Sequence, residues 1–141
     1  MVAVHEWSLA AAIVESVDKW ARNNNVDSII KVVVEIPTIA MIDLEVLRDA
    51  FNMLKQESRL ANAELEVRQV SPKFRCRVCG YVFSEDDVNK QLKELMSEYG
   101  EEYPLHLMPD LAPTLLKCPR CGSHDIEMLE SRIRVVEVVT K

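Results

Sequence analysis

The chain has 141 residues, 48% of them hydrophobic and only three of them glycine, with a formal charge of −6. That is enough to bury one modest core plus a small metal-held module. No apolar run approaches the roughly 20 residues that cross a bilayer, and Met1-Val2-Ala3-Val4-His5-Glu6 lacks the basic flank and apolar stretch of a signal peptide, so a cytoplasmic protein with no membrane partner is expected. The acidic balance weighs against nucleic acid, which draws on clustered Lys and Arg.

The first expected element is a helix. Ser8 is a candidate N-cap, and Leu9, Ala10, Ile13, Val14, Val17, Trp20 and Ala21 follow at helical spacing as far as Asn23-Asn24-Asn25. Next, Ile30, Val32, Val34 and Ile36 alternate with Lys31, Val33 and Glu35, a strand with one buried face that Pro37 should end. Asp43 can cap a second helix whose stripe is Leu44, Leu47, Ala50, Phe51 and Leu54. A second strand runs Ala63-Glu64-Leu65-Glu66-Val67-Arg68. The last, Arg132 to Val139, changes phase at Val135-Val136, which predicts a bulge or a strand covered on both faces.

All four cysteines lie in two matching knuckles, Cys76-Arg77-Val78-Cys79-Gly80 and Cys118-Pro119-Arg120-Cys121-Gly122. Two residues between thiols let both sulfurs of a tight turn reach one ion, and the glycine after each pair tolerates positive φ. One tetrathiolate site for a structural Zn²⁺ is expected on Cys76, Cys79, Cys118 and Cys121. Two disulfides or a redox dithiol are the alternatives, and neither accounts for the duplicated spacing. The nearby Lys73, Arg75 and Arg77 read as a solvated rim beside the thiolates.

Between the knuckles lie 38 residues, Gly80 to Lys117, more than the roughly 15 to 20 of an ordinary two-knuckle site, so the insert needs structure of its own. Ser84-Glu85-Asp86-Asp87 resembles a capping box. Val88, Leu92, Leu95, Met96 and Tyr99 continue as an apolar stripe, for packing or for docking a partner, and Pro104, Pro109 and Pro113 then prevent a long helix.

The predicted fold class is α/β (α+β): a small three-stranded sheet with two helices, interrupted by a four-cysteine zinc-ribbon domain. The expected domains are residues 1–72 with 130–141, and 73–129 carrying an insert at about 84–115. Nothing suggests an enzyme: there is no Gly-rich phosphate loop and no nucleophile signature. What remains is His5, beside Glu6 and close to a free amine. A terminal imidazole with metal-deprotonated backbone nitrogens makes the tetragonal plane that nickel(II) and copper(II) favour.

His5-Glu6-Trp7-Ser8-Leu9-Ala10 resembles the start of the HypA nickel metallochaperones, which mature nickel–iron hydrogenases. The likeness continues through Leu47-Arg48-Asp49-Ala50-Phe51, Ala63-Glu64-Leu65-Glu66-Val67, both knuckles and the closing strand, and the long insert is similar to archaeal members. The resemblance implies a nickel domain bearing His5 and the Glu6 backbone, and a zinc domain on the knuckles. It implies Ni²⁺ as cargo, and as partners the nucleotide-hydrolysing accessory protein HypB and the hydrogenase large subunit. The departure is Met1-Val2-Ala3-Val4 ahead of the histidine, where the family has one methionine whose amine joins the nickel plane. Either the amine lies several residues away or the biological start is Val4. In the first case His106, in the stiff Pro104 to Pro109 stretch, is a candidate fourth nitrogen in a partner-bound state, whereas His124 is assigned to the ribbon turn. The knuckles with Tyr81-Val82-Phe83 also resemble rubredoxin, so an iron electron carrier is the rival reading, followed by a zinc-ribbon interaction module.

Overall fold

The computed structural model describes residues 4–129 and 132–141, so the expectations about Met1–Ala3 and the free amine, and the domain boundary at 130, lie outside the described residues. The chain forms two compact units with a mixed α+β fold. One comprises Met1–Glu35, Ile42–Arg68 and Arg134–Lys141, the other Ile36–Met41 and Gln69–Ile133. Among the described residues no helix is long and apolar enough to cross a membrane.

In the first unit, helix α1 (Val4–Asn23) packs on α2 (Leu44–Leu54), over a sheet in the order β2-β1-β6, where β1 is Ile29–Pro37, β2 is Glu64–Val70 and β6 is Arg134–Thr140. The core takes Leu9, Ile13, Val14 and Val17 from α1, Leu47, Ala50 and Phe51 from α2, and Ile29, Val32, Val33 and Val34 from β1. Helix α1 does not wait for Ser8: it is already helical at Val4, and Trp20 is 43% exposed rather than part of the buried stripe. Asp43 caps α2 as its position predicts, accepting from the N–H groups of Glu45 and Val46 at 3.1 and 3.2 Å. Asp43→Ala should therefore destabilise this unit by about 1 kcal/mol, read as a shift in the denaturant midpoint.

Two irregularities set the register of the antiparallel β1–β6 pair. Ile29 faces Thr140 and Lys31 faces Val139, which leaves Ile30 without a partner and 46% exposed, contrary to the one-face alternation expected for it. Val33 faces Glu137 and Val34 faces Val135, so Val136 is the extra residue. That is the bulge read from the phase change, and it returns the valines on either side of it to compatible faces.

The second unit holds another three-stranded antiparallel sheet, β4-β3-β5, made of β3 (Lys73–Cys76), β4 (Val82–Ser84) and β5 (Ile126–Leu129). The insert begins with a 3-10 turn at Glu85–Val88, capped by Asp87, whose carboxylate accepts from the Ser84 N–H at 2.8 Å. Helix α3 (Asn89–Tyr99) follows, then 3-10 turns at Pro104–His106 and Pro109–Leu111 and the short α4 (Ala112–Leu115), each placing proline in a first turn where its missing N–H costs nothing. The predicted apolar stripe faces inward except at its end, where Tyr99 is 40% exposed. Val88 and Leu92 are buried in one cluster with Phe74, Phe83, Tyr103, Leu105, Leu116 and the knuckle cysteines Cys76 and Cys118, and Leu95 and Met96 pack against it.

Candidate metal sites

Each knuckle is built by the same backbone device. The Gly80 N–H donates to the Cys76 carbonyl and the Gly122 N–H to the Cys118 carbonyl, both at 2.9 Å, with Gly80 and Gly122 at φ of 76° and 78°. A side chain there would be strained, which is why glycine follows both pairs. The turn aims amides at sulfur: the Cys79 N–H lies 3.5 Å from Cys76 Sγ and the Arg120 N–H 3.4 Å from Cys118 Sγ. The strands bring the turns together, since Cys76 ends β3 opposite Ile126 of β5 and the Cys118 N–H donates to the Ser123 carbonyl at 2.8 Å. Helix α3 fixes the approach to the second knuckle, because the Gln91 side chain makes both hydrogen bonds of the Lys117 backbone, at 2.8 and 3.0 Å.

The four sulfurs lie within 4.8 Å of one another, with Cys76 to Cys121 at 3.5 Å and Cys79 to Cys118 at 3.7 Å. Thiolates around a tetrahedral ion at 2.3 Å are about 3.8 Å apart, whereas a disulfide needs about 2.05 Å, and all four cysteines are free. The donor set therefore fits a closed, four-coordinate soft metal. Arg75 and Arg77 are paired with Glu127 and Asp125 at 3.0 and 3.2 Å, so the basic residues form an ion-paired rim. His124 turns its Nδ1 to the Leu116 carbonyl at 3.2 Å, within the ribbon.

The thiols are unequal. The Cys79 N–H brings the Cys76 thiol down to about 7. Cys118 is drawn down as well: burial raises it, but the N–H groups of Cys121 and Arg120 outweigh that. Cys121 accepts from the Ser123 N–H, yet the surrounding sulfurs, Cys76 first, push it up to about 12. Metal binding needs all four as thiolates. Uptake at pH 8 is thus expected to release protons, and apparent affinity should fall as pH falls, more steeply below pH 7, where Cys76 also has to lose a proton. Titration in a weakly buffered indicator solution would show this. Uptake without acidification would contradict it.

At the other candidate site, Glu6 is 7% exposed, and its Oε2 accepts from the Asp43 N–H at 3.0 Å. His5 beside it is half-buried in the same first turn of α1. The sequence assigned Glu6 only a backbone role and Asp43 only a cap, and a hydrogen bond between residues 37 apart has no local signal that could have revealed it. His106 is 8% exposed, not in an open loop: its Nδ1 lies 2.8 Å from the Ala40 carbonyl, and its ring meets Tyr103 edge-on at 5.0 Å. It lies in the second unit.

The family model for hydrogenase/urease nickel incorporation metallochaperones, HypA, matches residues 4–140. The chain belongs to the HypA family. It is 33% identical over 129 residues to the hydrogenase maturation factor HypA of Pyrococcus horikoshii, covering 92% of this chain and 89% of that one. It is equally identical over 136 residues to that of Ignicoccus hospitalis, covering 95% and 94%. The fold is similar to the solution structure of the Ni metallochaperone HypA from Helicobacter pylori, with a TM-score of 0.60 at 18% identity and 96% of each chain covered. HypA proteins are metallochaperones that serve hydrogenase maturation, not enzymes, and they act with accessory proteins.

Proposed function

We propose that the first unit binds Ni²⁺ at His5 and hands it on for hydrogenase maturation, while Cys76, Cys79, Cys118 and Cys121 of the second unit hold a structural Zn²⁺. The observation that supports the nickel reading most directly is the buried Glu6 carboxylate on the Asp43 N–H, in a chain of a nickel-incorporation family. That hydrogen bond holds the start of α1 in place and so limits where the neighbouring imidazole can go. Both His5 and Glu6 lie in the first described turn of the helix, so the imidazole and the two backbone nitrogens are adjacent donors for the tetragonal plane that nickel(II) favours.

His106 enters the ligand set only in a rearranged state, because its imidazole is 8% exposed and packed edge-on to Tyr103, and pulling the ring away from the Ala40 carbonyl leaves a buried hydrogen bond unmade at about 1–3 kcal/mol. The HypB-type nucleotide hydrolase is the partner whose docking would drive that change, with the hydrogenase large subunit as recipient. The test is a nickel titration of the parent and of His106→Ala, each with and without the nucleotide-loaded partner. Tighter nickel binding with partner in the parent alone is expected; equal affinities for both proteins in both conditions would remove His106. A colourless protein fits zinc, whereas the red of an iron(III) thiolate would favour an electron carrier.

A further inference from the structure

Ile36–Met41 is the one stretch of the chain's first 68 residues that belongs to the second unit. It is gripped there at three successive residues. The Thr38 hydroxyl donates to the Glu85 carboxylate, the Tyr103 hydroxyl donates to the Ile39 carbonyl at 3.1 Å, and His106 Nδ1 donates to the Ala40 carbonyl at 2.8 Å. Ile39 and Ala40 are fully buried, and Met41 leaves the turn in the left-handed region at φ 51°. Tyr103 is itself 1% exposed, and burial drives its phenol well above its ordinary range, so its proton stays in the bond to Ile39. All three gripping side chains come from the insert between the knuckles.

The held backbone is continuous with the start of α2. From the Ala40 carbonyl only Met41 and Ile42 intervene before Asp43, whose side chain caps α2 and whose N–H holds Glu6. The path from insert to Glu6 is thus a clasped carbonyl, two residues of backbone, and one hydrogen bond.

We propose that Tyr103 and its neighbours in the insert form a clasp on Thr38–Ala40 that positions the Asp43 amide against Glu6, so that opening the clasp loosens the His5-Glu6 turn and speeds nickel release. Tyr103 is a positioning residue: it touches no proposed ligand and acts through Asp43. The nickel part of the proposal rests on the reading of the preceding subsection; the clasp and its reach to Asp43 do not. Coupling of this kind is reciprocal, so nickel must also tighten the clasp.

The experiment compares the parent with Tyr103→Phe, which keeps the ring and removes the donor, and with Thr38→Val, which breaks the clasp from its other side. Zinc content serves as the control for folding. Three quantities are read: amide exchange of residues 36–41, exchange of the Asp43 N–H, and nickel dissociation after a chelator jump. Both variants should exchange about tenfold faster at residues 36–41 and at Asp43 and release nickel faster, with zinc retained, while nickel slows the same amides in the parent. Faster exchange at residues 36–41 with an unchanged Asp43 amide would overturn the proposal, as would unchanged exchange throughout. If nickel binding proves independent of His5, the function proposed above fails, whereas the Asp43 amide still judges the clasp.

Discussion

Replacing Cys118 with serine is expected to strip the metal from the second unit and unfold its two knuckles. The apparent stabilisation by zinc in such sites is of the order of 10 kcal/mol, and strands of three or four residues do not pair stably alone. The damage should reach further than the knuckles, because Cys76 and Cys118 are part of the buried cluster that includes Ile39, Tyr103, Leu105 and Leu116. The first unit should survive, since it is a compact unit with buried residues of its own on α1, α2 and β1. Residue-resolved hydrogen exchange would show protection lost at residues 73–84 and 118–129 and kept in α1 and α2. A Cys118→Ser protein that retained its metal and full protection in β3 and β5 would remove the tetrathiolate site.

The second large effect is expected at His5. His5→Ala removes the only side chain on the first described turn of α1 that is a good nitrogen ligand for nickel. Losing a group that merely supports a ligand costs about 10–100-fold in metal affinity, so loss of the imidazole should cost more than about 100-fold. Zinc content and thermal unfolding should stay at parental values, because Glu6 keeps its bond to Asp43. Nickel affinity unchanged by the substitution, measured by competition with a chromogenic chelator, would take His5 out of the site.

Much of this molecule was legible where the cause is local. Gly80 and Gly122 mark the knuckles because only glycine adopts that φ readily, Asp43 marks the start of α2 because its carboxylate reaches N–H groups two and three residues ahead, and the doubled Val135-Val136 marks a bulge because side chains alternate along a strand. What stayed hidden depends on distant partners. Ser8 looked like a cap, yet the helix extends upstream to residues whose anchor, the Asp43 amide, is far along the chain. Ile30 continued a clean alternation until a register shift against β6 turned it to solvent. The β4-β3-β5 sheet went unseen as a sheet because its strands carry one or two buried apolar residues each, Phe74, Phe83 and Ile126, too few to set up a period. His106 sat among prolines in a segment that reads as loop, and only the packed structure shows it holding the Ala40 carbonyl.

A metallochaperone needs one metal that stays and another that leaves. With association at about 10⁶ M⁻¹s⁻¹, a micromolar site releases its ion at roughly 1 per second, whereas a picomolar site holds it for days. The first regime suits a site built on one half-buried imidazole and backbone nitrogens at the start of α1, and the second suits four converging thiolates, two of them buried. The most direct test is to load the protein with both metals, add excess chelator, and follow nickel and zinc separately in time. Nickel leaving within seconds and zinc retained for hours, with His5→Ala showing the zinc phase alone, is the predicted result; both metals leaving together, or nickel departing only when the thiols are blocked, would contradict two separate sites.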